Sequence, residues 1–143
     1  MELINALTVA RRAGAVAILA TGAIHLQQLI VQDFQGIPTV RVLFLLNVIG
    51  SGIAGACLLA PLRRVLAARW ADPAEAALAA LALTIAIGSL VSLFIAENGS
   101  LFGLSTHHYS TAAVLAIVIE GFVVVSLTPV LATSLVRTKR SEE

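Results

Sequence analysis

Four long apolar runs dominate the hydrophobic pattern of the chain, and each is long enough to cross a bilayer as a helix. The runs cover about residues 13–32, 42–60, 73–96 and 109–133. A helix needs about 20 apolar residues to cross the hydrocarbon core, where no backbone polar group can stay unpaired. Because the connections between the runs are short, consecutive helices should lie side by side in opposite directions. The pattern therefore predicts an all-α, up-down-up-down four-helix transmembrane bundle.

Local sequence signals mark the ends of these runs. The second run stops at Pro61, which cannot continue the hydrogen-bond ladder of a helix. Residues 72–75 (Asp-Pro-Ala-Glu) predict the start of the third helix, with Asp72 as its N-cap. Residues 97–99 (Glu-Asn-Gly) predict its end. Pro129 predicts a kink near the end of the fourth helix.

Composition supports a membrane protein with a single domain over residues 1–143. Hydrophobic residues make up 59% of the chain, charged residues 12%, and the mean hydropathy is +0.98. Soluble domains average about 25% charged residues, so this composition cannot cover a surface that faces water on all sides. The basic residues lie in twos and threes beside apolar runs, which indicates membrane orientation and excludes a nucleic-acid interface.

The basic residues predict which side of the membrane each end occupies. Cytoplasmic loops are enriched in Lys and Arg, so both chain termini should be cytoplasmic. Alanine-rich runs and eight Arg against one Lys suggest a bacterial chain, and hence the cytoplasmic membrane. A cleaved signal peptide is the alternative for the first run, but apolar character resumes after His25 and no small-residue cleavage site closes the run. Eight of the nine basic residues share one side, and only Arg41 lies on the other: Arg11, Arg12, Arg63, Arg64, Arg69, Arg137, Lys139 and Arg140.

Small residues recur at helical spacing in three runs and predict the surfaces through which the helices pack. Lipid supplies no hydrophobic force between helices, so close approach over small side chains holds a membrane bundle together. We expect these surfaces to pack within one chain, and homodimerisation through one of them is the alternative. The predicted surfaces are Ala10, Gly14, Ala17, Thr21, His25, Gln28 and Gln32; Asn47, Gly50, Ala54 and Cys57, with Ser51 and Gly55 beside them; and Ala80, Thr84, Gly88, Ser92 and Ala96.

Polar side chains from all four runs fall in the outer half of the predicted bundle. Imidazoles with carboxylates suit zinc, copper or iron, and imidazoles on facing helices can ligate haem. The alternative is that these residues meet headgroups and water or form hydrogen bonds between helices. The cluster is thus a candidate ligand-binding site in which no cofactor is expected, with His25, His107 and His108 as the metal or haem ligands if there are any. Its members are His25, Gln28, Asp33, Arg41, Asn47, Glu97, His107 and His108.

Glu120 lies near the middle of the fourth run, with no Lys or Arg at comparable depth. A carboxyl group at the bilayer centre costs a few kcal/mol, so it should face the bundle interior in its neutral form. Thr84, Gly88 and Ser51 are its expected partners. One interpretation is a proton-titrating group of a transporter, and the other is a structural carboxyl that forms a hydrogen bond across helices. In either case the prediction places Glu120 apart from the outer cluster.

Two stretches resemble a family of small four-helix membrane proteins of actinobacteria. They are residues 21–26 (TGAIHL) followed by 37–39 and 43–47 (LFLLN), and residues 100–103 (SLFG) leading to His107 and Tyr109. The resemblance would cover almost the whole chain and implies four transmembrane helices without an assigned activity. Small multidrug resistance transporters are similar in size and also carry an intramembrane Glu, but theirs lies in the first helix and Glu120 lies in the fourth.

Three functions follow as hypotheses. The first is binding or transport of a small molecule through the outer polar cluster, with Glu120 as a proton-linked site. The second is a haem- or quinone-binding accessory subunit, and the third is a structural subunit of a larger membrane complex. No nucleophile is placed beside a base, and no phosphate-binding or redox motif occurs, so the sequence favours a non-enzyme.

Overall fold

A computed structural model describes residues 2–32, 37–104 and 110–140, and this part of the chain is almost entirely α-helical. Four of its helices are long and apolar enough to cross a membrane, over Asn5–Val31, Pro38–Leu59, Arg69–Asn98 and Thr111–Arg140. The only β-pairing within the described ranges is an isolated bridge between Leu101 and Leu104. The predictions of an all-α fold and of four membrane-length helices are confirmed. The helices are α1 (Glu2–Val31), α2 (Pro38–Leu59), α3 (Leu62–Val65), α4 (Ala68–Asn98) and α5 (Thr111–Arg140).

The four long helices pack in a ring. Helix α1 packs against α2 and α5, and α4 packs against α5 and α2, while contact between α1 and α4 is slight. Alanine contributes most of the buried apolar side chains, and Ile18, Leu58, Val123 and Leu127 supply the bulk. Because small side chains let helix backbones approach closely, this core suits packing in a lipid environment.

Glycines mark the closest approaches between helices. A Cβ atom at Gly55 of α2 would lie 2.5 Å from Leu19 Cγ and 2.9 Å from the Ala15 carbonyl oxygen of α1. A Cβ atom at Gly14 of α1 would lie 2.6 Å from Leu127 Cγ of α5. At Gly55 a side chain would push against the backbone of α1 and force the two helices apart, whereas at Gly14 the Leu127 side chain would have to move. On α1 the predicted surface is correct at its centre, where Gly14, Ala17, Thr21 and His25 are buried.

The predicted packing surface of α4 is correct at Ala96 and wrong at its centre. Thr84 and Gly88 are exposed, and the buried face of the helix instead carries Ala79, Ala82, Leu83 and Ala86. The physical reason is helical geometry: residues four apart differ by about 40° around an α-helix, so a strict four-residue repeat winds off one face within a few turns.

The packing surface of α2 agrees with the prediction in part. Ala54 of the expected row is buried, as are Ser51 and Gly55 beside it, and these last two approach α1. The residues beside the expected row therefore form the contact between α2 and α1, and the row itself lies at the edge of that contact.

The helices extend beyond the apolar runs that predicted them. Helix α1 starts eleven residues before the predicted position 13, α2 starts at Pro38, and α5 continues past Pro129 to Arg140. Hydropathy identifies the lipid-matched part of a helix, and charged residues beyond it can continue the helix.

The start of α4 is a further correction. The helix begins at Ala68, with Pro73 inside it, and Asp72 pairs with Arg63 at 2.5 Å instead of serving as the N-cap. Proline is tolerated close to a helix start because few backbone hydrogen bonds are lost there. The end of α4 at Asn98, with Gly99 as its C-cap, agrees with the prediction.

Candidate functional site

Three polar side chains from three helices meet inside the helix ring. His25 comes from α1, Ser89 from α4 and Glu120 from α5, and we call them the buried cluster. His25 Nε2 lies 3.1 Å from Ser89 Oγ and 3.9 Å from Glu120 Oε1. Phe44 of α2 covers the imidazole, with a distance of 5.1 Å between ring centroids and an interplanar angle of 48°. All four long helices therefore contribute a side chain to this site.

The packing faces of the helices explain why these residues meet. His25 follows Thr21 by one turn on the buried face of α1, and Ser89 follows Ala86 by about one turn on α4. Glu120 lies on the buried face of α5 between Ala116 and Val123. Each polar residue therefore lies on the helix face whose apolar side chains pack in the interior of the bundle.

The hydrogen bonds of His25 determine the roles of its two nitrogens. Nδ1 lies 2.9 Å from the Thr21 carbonyl oxygen, which can only accept, so Nδ1 must carry a hydrogen. In a neutral imidazole, Nε2 is then the acceptor and receives the hydrogen of the Ser89 hydroxyl. A proton gained by the ring would be added at Nε2, on the side that faces Glu120.

Glu120 is fully buried, yet within the described residues neither of its carboxyl oxygens has a hydrogen-bond partner. The distance of 3.9 Å to His25 Nε2 exceeds that of an N–H···O hydrogen bond, about 2.7–3.2 Å. Two opposite charges about 4 Å apart still attract by roughly 4 kcal/mol where the effective dielectric constant is about 20. The Ser89 hydroxyl, which bonds to the imidazole, also lies near the Glu120 carboxyl without forming a hydrogen bond to it. Ser89 is therefore the bridging residue of the cluster.

This arrangement has two states of zero net charge. In one, a neutral imidazole faces a carboxylic acid, and in the other an imidazolium faces a carboxylate. They hold the same number of protons and differ in the position of one, which the Ser89 hydroxyl can relay by accepting a proton from one group and donating its own to the other. Loss of that proton would leave an uncompensated buried carboxylate, which is costly unless a cation or a hydrogen-bond donor arrives. The cluster can thus exchange a proton for a ligand group.

The other predicted site residues do not join this cluster. Gln32 donates from Nε2 to Gln28 Oε1 at 2.5 Å, and the Ser51 hydroxyl donates to Asn47 Oδ1 at 3.1 Å. Arg41 is exposed at the start of α2, and Glu97 is half-buried in the last turn of α4. Hydrogen bonds within single helices therefore explain the two pairs formed by Gln28 and Asn47.

Two parts of the prediction lie outside the described residues. Asp33 and the pair His107 and His108 fall in the ranges 33–36 and 105–109, which the structure does not describe. Within the described ranges, no group of three or more His, Cys, Asp or Glu side chains is arranged to hold a metal ion. The metal and haem hypotheses that involve His107 and His108 therefore stay predictions.

The separation of Glu120 from His25 was the main error of the sequence prediction. Thr84 and Gly88 face outward and Ser51 bonds to Asn47, so none of the expected partners forms a hydrogen bond with Glu120. The sequence reasoning does not identify Ser89. With the observed helix ends, His25 and Glu120 fall at similar depths in the bundle, which would have indicated that they lie together. His25 lies six residues from the end of α1 and Glu120 nine residues from the start of α5, which correspond to about 9 and 14 Å.

Comparisons with known proteins return no matching family model, no matching curated protein and no matching solved structure. The resemblance to small actinobacterial membrane proteins stays a prediction.

Proposed function

We propose that this chain is a multi-pass protein of the bacterial cytoplasmic membrane that binds or transports a small molecule and exchanges a proton at the buried cluster. The proposed topology is an up-down-up-down bundle with both termini in the cytoplasm. The distribution of eight basic residues on one side and Arg41 on the other supports this orientation. Contacts between α1 and α2 also support it, since Gly22 approaches Ser51 while Ala15, earlier in α1, approaches Gly55, later in α2.

The observation that carries the proposal is the fully buried Glu120, with both carboxyl oxygens unpartnered in the described part of the chain, beside His25. A carboxyl group kept for stability would use its oxygens in hydrogen bonds, because each unsatisfied buried group costs about 1–3 kcal/mol. Ionisable residues within membrane spans are rare and mark ion, proton or substrate pathways. A carboxyl group ready to accept a new donor fits a binding site better than a structural contact.

The cluster suggests how binding and proton movement are linked. A ligand that presents an ammonium group or another strong donor to Glu120 would stabilise the carboxylate, and the displaced proton would leave the cluster by way of Ser89 and His25 Nε2. The chemistry therefore favours a cationic or donor-bearing ligand. Both ring nitrogens of His25 already have protein partners, which favours this role over axial ligation of haem.

Infrared difference spectroscopy on the lipid-reconstituted protein tests the proton step without knowledge of the ligand. We expect a buried carboxyl C=O band that responds to pH and disappears in Glu120→Gln, which keeps the shape of the side chain but cannot titrate. The matched control is Glu97→Gln, which lies in the last turn of α4 and should leave the band in place. A wild-type spectrum without such a band, or one that Glu120→Gln leaves unchanged, would refute the proposed proton exchange.

Calorimetry tests the link to a ligand. Lipophilic amines that stabilise the purified protein should be titrated in two buffers of different ionisation enthalpy, which reports the number of protons exchanged on binding. We expect about one proton to be released from the wild-type protein and none from Glu120→Gln. Binding that exchanges no proton in either protein would contradict the linkage.

A further inference from the structure

A second polar site lies away from the buried cluster, where the start of α1 and the end of α5 meet α3 and the start of α4. Four arginines line a half-open pocket of about 220 Å³, together with one carboxylate and a few apolar side chains. We call it the arginine pocket. Its lining includes Arg11 of α1, Arg63 and Arg64 of α3 and Arg137 of α5, while Glu75 of α4 is its only acidic residue.

The described residues do not balance the charges of the arginine pocket. Arg63 pairs with Asp72 at 2.5 Å, and Arg11 makes one long contact of 3.4 Å with the carbonyl oxygen of Ala60 at the end of α2. Arg64 and Arg137 form no ion pair within the described ranges. With Arg63 neutralised, three guanidinium groups face the single carboxylate of Glu75, which leaves a surplus of two positive charges. Because like charges that converge repel each other, the pocket is complementary to an anion.

The orientation rule for membrane proteins does not explain this convergence. The rule concerns which side of the bilayer Lys and Arg occupy, and it is satisfied equally by Arg69 and Arg140, which are exposed and do not line the pocket. The pocket instead gathers arginines from three elements that are distant in sequence. A planar guanidinium group can donate two parallel hydrogen bonds to two oxygens of a phosphate group. Arginine is preferred over lysine where this geometry matters.

We propose that the arginine pocket binds the phosphate of an anionic phospholipid headgroup. The lining favours a lipid over a free anion, because Leu7, Pro61 and Leu62 form apolar walls next to the guanidinium groups. The pocket also lies at the end of membrane-length helices, where headgroup phosphates and acyl chains meet. Basic pockets between transmembrane helices are suited to headgroups of this kind. This proposal is independent of the buried cluster and of its proton chemistry.

Thermal unfolding in a neutral detergent tests the proposal with three additives: phosphatidylglycerol, phosphatidylcholine and inorganic phosphate. We expect phosphatidylglycerol alone to raise the melting temperature of the wild-type protein. The double variant Arg64→Gln/Arg137→Gln should bind this lipid roughly 30-fold more weakly, since each basic residue near an anionic headgroup contributes about fivefold. Without lipid, the same variant should melt no lower than the wild type, because the substitutions relieve repulsion between arginines.

The matched control is Arg69→Gln/Arg140→Gln, which removes the same charge from exposed positions outside the pocket and should keep the wild-type response. Equal loss of lipid stabilisation in both double variants would show diffuse electrostatic attraction and overturn the proposal. Equal stabilisation by phosphatidylcholine would overturn it as well. Stabilisation by inorganic phosphate to the same extent would assign the pocket to a free anion and refute a lipid site.

Discussion

At the scale of single residues, the chemistry depends on which polar atoms are left without partners. Gln28 and Asn47 are satisfied by residues one turn away on their own helices, so they need no ligand. Glu120 has no such local partner and approaches a histidine from another helix. Glu120 thus differs from Gln28 and Asn47 in its free hydrogen-bonding capacity.

Ser89 should be the residue that couples the imidazole to the carboxyl. Replacement by alanine removes the hydroxyl that bonds to His25 Nε2, so we expect a loss of about 1 kcal/mol in stability and slower proton exchange, while the Glu120 carboxyl still titrates. Stopped-flow measurement with a pH-sensitive dye, together with the infrared spectrum, separates these effects.

The control for this experiment is Ser92→Ala, about one turn further along α4 and outside the buried cluster. It should exchange protons at the wild-type rate. Identical rates in Ser89→Ala and the wild type would argue against a relay through the hydroxyl.

At the scale of elements, helix contact is determined by backbone approach at a few glycines. Gly55 and Gly52 both lie on α2, but only Gly55 faces α1 at a distance that leaves no room for a side chain. A methyl group at Gly52 meets no atom within 4 Å. Glycine content therefore cannot identify the contact; the rotation of the helix about its axis decides which glycine is needed.

Gly55→Ala should destabilise the bundle by about 1–2 kcal/mol, because the Ala15 carbonyl oxygen at 2.9 Å belongs to the backbone and cannot move independently of α1. Gly52→Ala should be neutral or slightly stabilising, since alanine favours the helix by up to about 1 kcal/mol. Unfolding in a mixed micelle of denaturing and neutral detergent measures both. Similar losses in the two variants would contradict the α1–α2 contact described above.

At the scale of the whole molecule, the bundle is a ring of four helices with polar groups concentrated at two levels. The buried cluster occupies the interior, and the arginine pocket closes the end where basic residues collect. Each site draws on three or more elements, so neither exists in any single helix. Changes in helix packing would therefore affect both sites.

The proposed topology can be tested with single cysteines in a Cys57→Ser background. Ser100 is exposed in the segment after α4, and Arg140 is exposed at the end of α5. A membrane-impermeant maleimide should label Ser100→Cys in intact cells and Arg140→Cys only after the membrane is permeabilised. Labelling of Arg140→Cys in intact cells would refute cytoplasmic termini.

The sequence by itself determined the all-α class, the number of membrane-length helices and the approximate position of each, because hydropathy and chain length are properties of single segments. It also singled out His25 and Glu120 as residues that need an explanation. Their pairing, the bridging role of Ser89 and the convergence of four arginines were decided by the tertiary structure alone. These contacts depend on the relative depth and rotation of separate helices, which result from close packing of small side chains and have no signature within any one segment.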